Sequence, residues 1–462
     1  MHALLKNRSH RGFRQLCCAL VLCSPWAQSV AQVTDLMKVY ELATSNDPSI
    51  LSAGAVNRAA QEGPAIARSG LLPLISASAS TTGNIGETKS TTTTASLFGS
   101  STTLPRTNKF HSKTVNIEFT QPLYRRDRWI AIDQSKVEVD QADATFAFEQ
   151  QALMLRASQL YFDVLRAADT LTFSRAEQEA FGQQLEQSQQ RFEVGLIAIT
   201  DVEEAKAGFD LARAQVIQAE NALDNAREAL REVSGEYHES VATLGTSMPL
   251  DMPEPNDIDM WTATALKQNL QLAGQRYAAD RSRMEIQRIE SGHLPTLDLV
   301  GGHGRSFANG SALSRSKSDV VNTSIGLQLS IPIYSGGSVV ARTRQSRHLY
   351  QRDINEVERV RRSVQRQTRD SFLGVRSGIS RVDALAQAVK SNKAAANATE
   401  AGFQVGTRTT VDVLNAKRDL FRAKRDFADA RYLYIIDILS LKQAAGTLSE
   451  DDLKRVNSWL LN

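Results

Sequence analysis

Two periodicities alternate along this chain. After Asp201, Val202, Phe209, Val216, Leu223 and Leu230 recur every seven positions, with Ala205, Ala212, Ala219 and Ala226 three places on. The same register returns after Asp412, as Val413, Leu420, Phe427, Tyr434 and Leu441 with Ala416, Ala423 and Ala430. A strict seven-residue repeat predicts coiled-coil helices, and alanine at alternate seam positions lets them approach closely. From about Arg125 to Val194 a helical pattern runs without proline. About seventy residues at 1.5 Å each span roughly 100 Å, too long for a compact domain.

Elsewhere the period is two. Val115, Ile117 and Phe119 alternate with Asn116, Glu118 and Thr120, and Ile325, Leu327, Leu329 and Ile331 alternate with Ser324, Gly326, Gln328 and Ser330. Weaker alternation follows Pro73 and Pro295. The pattern predicts strands with one apolar and one polar face. Two hairpins, about 72–122 and 294–332, would give four strands. The Ser/Thr-rich stretch from Ser80 to Phe110 and its counterpart Gly301 to Asn322 read as loops on a common frame.

These landmarks repeat. Gly195 and Gly406, Asp201 and Asp412, and Gly235 and Gly446 are each 211 apart, while Leu72-Pro73 and Leu294-Pro295 are 222 apart. Internal repetition implies one architecture written twice. Residues 32–256 form a first structural repeat with a tip turn at 194–201, and 257–462 a second with a tip turn at 405–412. The proline-rich stretch Thr243 to Asp259 joins them.

Composition matters most at the start. Lys6, Arg8, Arg11 and Arg14, then LCCALVLC, then Ser29-Val30-Ala31, read as a signal peptide cleaved after Ala31. Removing its four basic residues takes the net charge from +3 to −1, which withdraws support for nucleic-acid binding. Cys17, Cys18 and Cys23, all the cysteines, leave with it. The large Leu22 before Cys23 argues against a lipid anchor there. No stretch of eighteen apolar residues suggests a membrane-spanning helix, but barrel strands are short and alternate.

Four strands cannot close a barrel, since barrels need at least about eight, and open edges cannot face lipid. The strands must therefore pair with those of other copies. A dimer supplies eight and a trimer twelve. Tyr124 and Tyr334, at matching strand ends, suit an aromatic belt at the membrane interface.

The segments LMKVYELATSNDP, SGLLP, QRFEVGLIAITDVEEA, SGHLPTLDL, IPIYSGG and AGFQVGTRTTVDVLNA resemble the TolC family of outer-membrane channels over nearly the whole mature chain. The resemblance implies a mainly α protein with a β-barrel part. In it a homotrimer builds a twelve-stranded barrel in outer-membrane lipid and a long periplasmic helical tunnel. It also implies export of drugs or proteins, with a periplasmic adaptor and an inner-membrane transporter of ABC, RND or MFS type as partners, and no cofactor.

Within that frame the paired turns form a gate. Gly195 and Gly406 suit the left-handed position that ends a helix. Thr200-x-x-Glu203 and Thr409-x-x-Asp412 both fit the capping pattern. Three copies of Asp412 would make an acidic constriction whose like charges raise its pKa. Related proteins carry a second aspartate where this chain has Asn415, so the second ring is neutral. Arg408 and Thr200 match one polar latch of the family. The other pairs the aspartate matching Asp201 with a tyrosine, and Phe403 lacks that hydroxyl, so this latch is held less tightly. Val194-Gly195 and Val405-Gly406 resemble the family's adaptor contact.

Other functions find less support. The mature chain holds no GxSxG, HExxH, P-loop or CxxC motif, and Gly301-Gly302-His303-Gly304 has no matched nucleophile, so it is not an enzyme. The arginines of 359–369 interleave with Glu356, Glu358 and Asp370 as a solvated helix face does. A periplasmic coiled-coil adaptor without a channel would explain the heptads, but not the strands.

Overall fold

The computed structural model describes residues 33–93, 101–245, 248–311 and 316–461; the expected signal peptide and the cysteines lie outside them. The chain runs through α1 (Leu36–Asn46), α2 (Pro48–Gln61), α3 (Gly63–Ser69), β1 (Leu74–Thr93), β2 (Ser101–Tyr124), α4 (Arg126–Glu193), α5 (Ile199–Ser234) and β3 (Thr243–Leu244). It continues through α6 (Ile258–Gln268), α7 (Leu270–Glu290), β4 (Thr296–Ala308), β5 (Ser318–Ser330), α8 (Ser338–Gln404), α9 (Thr410–Ala445), α10 (Glu450–Asn457) and β6 (Leu460–Leu461).

The helical pattern from Arg125 to Val194 becomes α4, 68 residues without a break, and α8 is its 67-residue counterpart. Each turns back at its tip into a 36-residue helix, α5 or α9. The heptad positions pack as expected: Val202, Ala205, Ala212, Val216, Ala219, Leu223 and Leu230 are all buried along α5. Helix α9 buries a second stripe as well, including Leu414, Phe421, Ile435 and Leu439. The second stripe faces α4, against which α9 also packs. The Arg-rich face of α8 is paired as a solvated face should be: Glu358 accepts from both Arg361 and Arg362, and Arg366 meets Asp370 at 3.1 Å. Such exposed pairs add little stability.

The largest core lies midway along the molecule. Leu36, Tyr161, Phe162, Leu230, Ile435 and Leu453 bring α1, α4, α5, α9 and α10 together. Buried hydroxyls there are satisfied: Tyr161 donates to the Ala242 carbonyl at 2.7 Å, and Tyr432 to Asp169 at 2.6 Å. The strands β3 and β6 pair beside this core and tie the C-terminal segment to the connection between the two halves.

At one end stands a four-stranded antiparallel sheet in the order β1-β2-β4-β5. Both expected hairpins are present, but the Ser/Thr-rich tract is not a loop. Residues Ser80 to Thr93 and Ser101 to Phe110 are strand, paired through the whole of β1 and β2. Threonine suits an extended backbone, and the interstrand ladder needs no apolar core. The extra residues of the first half therefore lengthen its strands to 20 and 24 residues, against 13 each for β4 and β5. Gly301-Gly302-His303-Gly304 likewise sits within β4. A Cβ at Gly304 would fall 2.2 Å from Asn116 Oδ1, so that glycine is there to let the strands' side chains pass.

Candidate functional site

Two regions of the molecule carry features that a folded core does not explain: the sheet and the helical tips. Cross-strand register places Ile75, Phe119 and Ile325 in one row, and Leu299 with Leu327 in the next. The opposite face carries Ser76, Glu118, Gly302 and Ser324. No described residue covers the apolar face: Ile325 is 79% exposed, and Leu327 and Leu329 are exposed as well. On β5 the apolar residues Val321, Ile325, Leu327 and Leu329 span nine positions, matching the nine to eleven residues a tilted strand needs to cross a bilayer. Just above them the exposed pair Arg305–Asp319, at 2.6 Å, ends the apolar band. The outer edges of β1 and β5 have no partner strand among the described residues.

Tyr124 is the last residue of β2, half-exposed at the foot of the sheet. Tyr334 differs from expectation. The strand β5 ends at Ser330, and Tyr334, 86% exposed, lies in the connection before α8. Pro332, which lacks a backbone N–H, favours that early exit from the ladder.

At the far end, both tips close in the same way. Leu196 N–H reaches back to Arg191 O at 2.9 Å, and Thr407 N–H to Gly402 O at 2.9 Å. Gly195 and Gly406 take φ of 76° and 79°. These are paired Schellman turns, in which a left-handed glycine satisfies the last helix carbonyls. Val194, Leu196 and Val405 project into solvent around them. Leu196 was not singled out by the repeat, because its counterpart is the polar Thr407.

The helices that leave the tips start differently. At Thr409 the expected capping box is complete: Asp412 N–H donates to Thr409 Oγ1 at 3.2 Å, and Thr409 N–H to Asp412 Oδ2 at 3.0 Å. The first tip has no such box. Helix α5 begins at Ile199, two residues before a Thr200 cap would start it, with Ala198 as its cap and no side-chain bond, so Thr200 lies inside the first turn. Ala198 stands where the second half has Thr409, which is why the pair Thr200–Glu203 cannot cap.

The box also bears on charge. Hydrogen bonds from the Thr409 backbone and hydroxyl, helped by nearby Arg408, hold the Asp412 carboxyl below the ordinary carboxylate value. Within one chain this is the reverse of the upward shift expected from a ring of like charges. Asn415, one turn on, is exposed, and its carbonyl accepts from Arg418 at 3.3 Å. The position that lost an acid has thereby gained a cation beside it.

The latch residues are not joined as the resemblance implied. Thr200 and Arg408 are both exposed and share no bond within the chain, and Asp201 has no side-chain partner among the described residues. Arg408 folds back over Gly402, where a Cβ would meet its Cγ at 2.8 Å. Phe403 is buried, with the Arg191 guanidinium 4.4 Å above its ring.

A sheet with one exposed apolar face, carried on two helices about 100 Å long, is the architecture of an outer membrane channel protein with a periplasmic extension. The profile of outer membrane efflux proteins matches residues 39–236 and 261–447, and the chain belongs to that family. It is 40% identical to outer membrane protein TolC of Vibrio cholerae, over 94% of each chain. It is 31% identical to the proteases secretion protein PrtF of Dickeya chrysanthemi, over 93% of this chain and 92% of that one. Among solved structures, the CmeC outer membrane channel of Campylobacter jejuni has the same fold, with a TM-score of 0.74 at 16% identity, covering 92% of this chain and 90% of that chain.

Proposed function

We propose that three copies of this chain join their sheets into a twelve-stranded barrel and their coiled coils into a periplasmic tunnel. The assembly is a passive exit duct for efflux and type I secretion, gated at its periplasmic end. The observation that carries this reading is the sheet itself, apolar and exposed on one face and unpaired along both edges. Lipid suits the apolar face, but it does not tolerate the unpaired edges unless β5 of one copy pairs with β1 of the next. The polar row of Ser76, Glu118 and Ser324 then lines a water-filled lumen, with Tyr124 and Tyr334 at the membrane interface. Each copy is a tandem repeat, giving two hairpins to the barrel and two tips to the tunnel mouth.

At the mouth, Asp412 forms an acidic constriction, and Asn415 a second, neutral ring whose carbonyls are occupied by Arg418. Thr200 and Arg408, unbonded within one chain, are placed to bond between neighbouring copies, with Asp201 beside them. Val194, Gly195, Val405 and Gly406 offer the contact to a periplasmic adaptor, and an inner-membrane transporter of ABC, RND or MFS type supplies the energy.

Purified protein in a planar bilayer tests the reading. It should conduct, and a trivalent cation added on the periplasmic side should block it. Asp412→Ala should raise the conductance and weaken the block by roughly tenfold or more, about 1.4 kcal/mol. The sign of the pH response follows from the capping box. Because the folded pKa is lowered, the charge persists as pH falls through the usual carboxylate range, and the block should fade only below the ordinary value of 3.8. A block already lost near pH 5 would mean that repulsion within the ring outweighs the cap. Conductance and block that ignore Asp412→Ala would remove it from the gate.

A further inference from the structure

We propose that Arg191 is the latch that holds the two tips of each copy together, in place of a hydroxyl bond at residue 403. The inference rests on the tunnel-mouth reading above. Phe403 stands where the resemblance implied a tyrosine bonded to Asp201. Instead its ring is 4% exposed, and the half-buried Arg191 guanidinium lies over it at 4.4 Å. Arg191 Nη1 also donates to the Phe403 carbonyl at 3.2 Å. That carbonyl already accepts from Gly406 N–H within the second Schellman turn, while the Arg191 carbonyl accepts from Leu196 N–H within the first. One side chain therefore fastens the two turns to each other through the atoms that shape them. A planar cation suits this role, since it stacks on the ring and donates sideways at the same time.

The seam above explains why a fastening is needed there. Glu177, Phe181, Gln184, Ser188 and Arg191 share one face of α4 at helical spacing. Glu177 is paired with Arg425 at 2.9 Å, and Phe181 packs with Leu414. Below that, adhesion fails. Gln184 and Ser188 are fully buried on α4, and their Nε2 and Oγ have no hydrogen-bond partner. Thr410 Oγ1, one turn before Leu414 on α9, is in the same condition. Buried unpaired polar groups favour separation, because water would satisfy them. The last turns of α4 thus lean toward opening, and Arg191 opposes them. A marginal seam held by one fastening suits an element that opens and closes as a gate does.

Accessibility of Ser188→Cys to a thiol reagent reads the seam directly, in the full trimer and without any need for conductance. The three native cysteines all precede Ala31, so after processing the new thiol is alone. Labelling should be slow in that background and roughly tenfold faster with Arg191→Met or Phe403→Leu, given a partly desolvated cation–ring contact and its hydrogen bond. Arg191→Lys, which keeps the charge but not the fork, should fall between. The double variant Arg191→Met, Phe403→Leu should be no faster than Arg191→Met alone, because that single change already removes the ring contact that Phe403→Leu removes. Phe403→Tyr, which keeps the ring, should leave the rate unchanged. Equal rates in all variants, additive effects, or slowing by Phe403→Tyr would overturn the proposal. A protein that labels as expected but does not conduct would instead refute the channel reading and leave the latch standing.

Discussion

Gly406→Trp is expected to abolish export while leaving a folded trimer in the outer membrane, and Gly195→Trp to do the same. An added Cβ at either position meets no atom within 4 Å, so the indole would have room. The cost to the chain itself is the strained left-handed backbone, about 1–2 kcal/mol for a residue with a side chain. That is small for a molecule with a core of this size. The cost to an adaptor helix docked as proposed on Val194 and Val405 would be larger, because helices pack closely only where residues are small. Gly406→Asn separates the two effects, since asparagine accepts positive φ with little bulk; it should retain most export. Drug susceptibility of cells together with heat-modifiable trimers on a gel would measure both. Normal export with tryptophan at both tips would show that nothing docks there.

Arg425→Ala should be the most destabilising of the single charge deletions. It leaves Glu177, 1% exposed, without its cation inside the α4–α9 seam. Removing one partner of a buried pair costs about 3–5 kcal/mol; the partial exposure of Arg425 puts the lower end of that range in view. The protein should unfold at a clearly lower temperature, and Glu177→Met added to Arg425→Ala should recover most of the loss, because two apolar side chains no longer strand a charge. An Arg425→Ala protein as heat-stable as the parent would show that Glu177 finds water or another donor. The exposed pairs of α8 make the contrast: deleting Arg366 should change little.

The long helices, the two hairpins and the left-handed glycines were legible in the sequence because each follows from local chemistry that repeats. Heptads, alternation and a glycine at the end of a helix need no knowledge of the rest of the chain. The failures have a common physical source. The Ser/Thr tract reads as loop by composition, and only the long ladder between β1 and β2 makes it strand. Thr200 fits a cap by spacing, but Ala198, four places behind a buried Val202, takes the cap because packing sets where α5 begins. Phe403 reads as a lost hydrogen bond until the arginine from another helix, 212 residues away in sequence, is seen above its ring. Arg191 itself sits in an ordinary charged stretch, and only the buried polar residues on its face of α4 could have marked it.

The unequal hairpins reach beyond the membrane in a specific way. Strand β4 begins to pair with β2 at Ser112, where Asn309 bonds His111 through both its backbone N–H and its side-chain Oδ1. Beyond that junction Asn108 Nδ2 still meets the Ser311 carbonyl at 3.4 Å, and among the described residues Ser101 to Thr107 pairs only with β1. These residues of two-stranded ribbon extend past that contact by roughly 15–20 Å at the usual tilt. In the proposed threefold ring the outward rim would be a crown of three ribbons with a gap between each pair, through which cargo could leave sideways. The part of that assembly the exterior would meet first would also have the least packing beneath it.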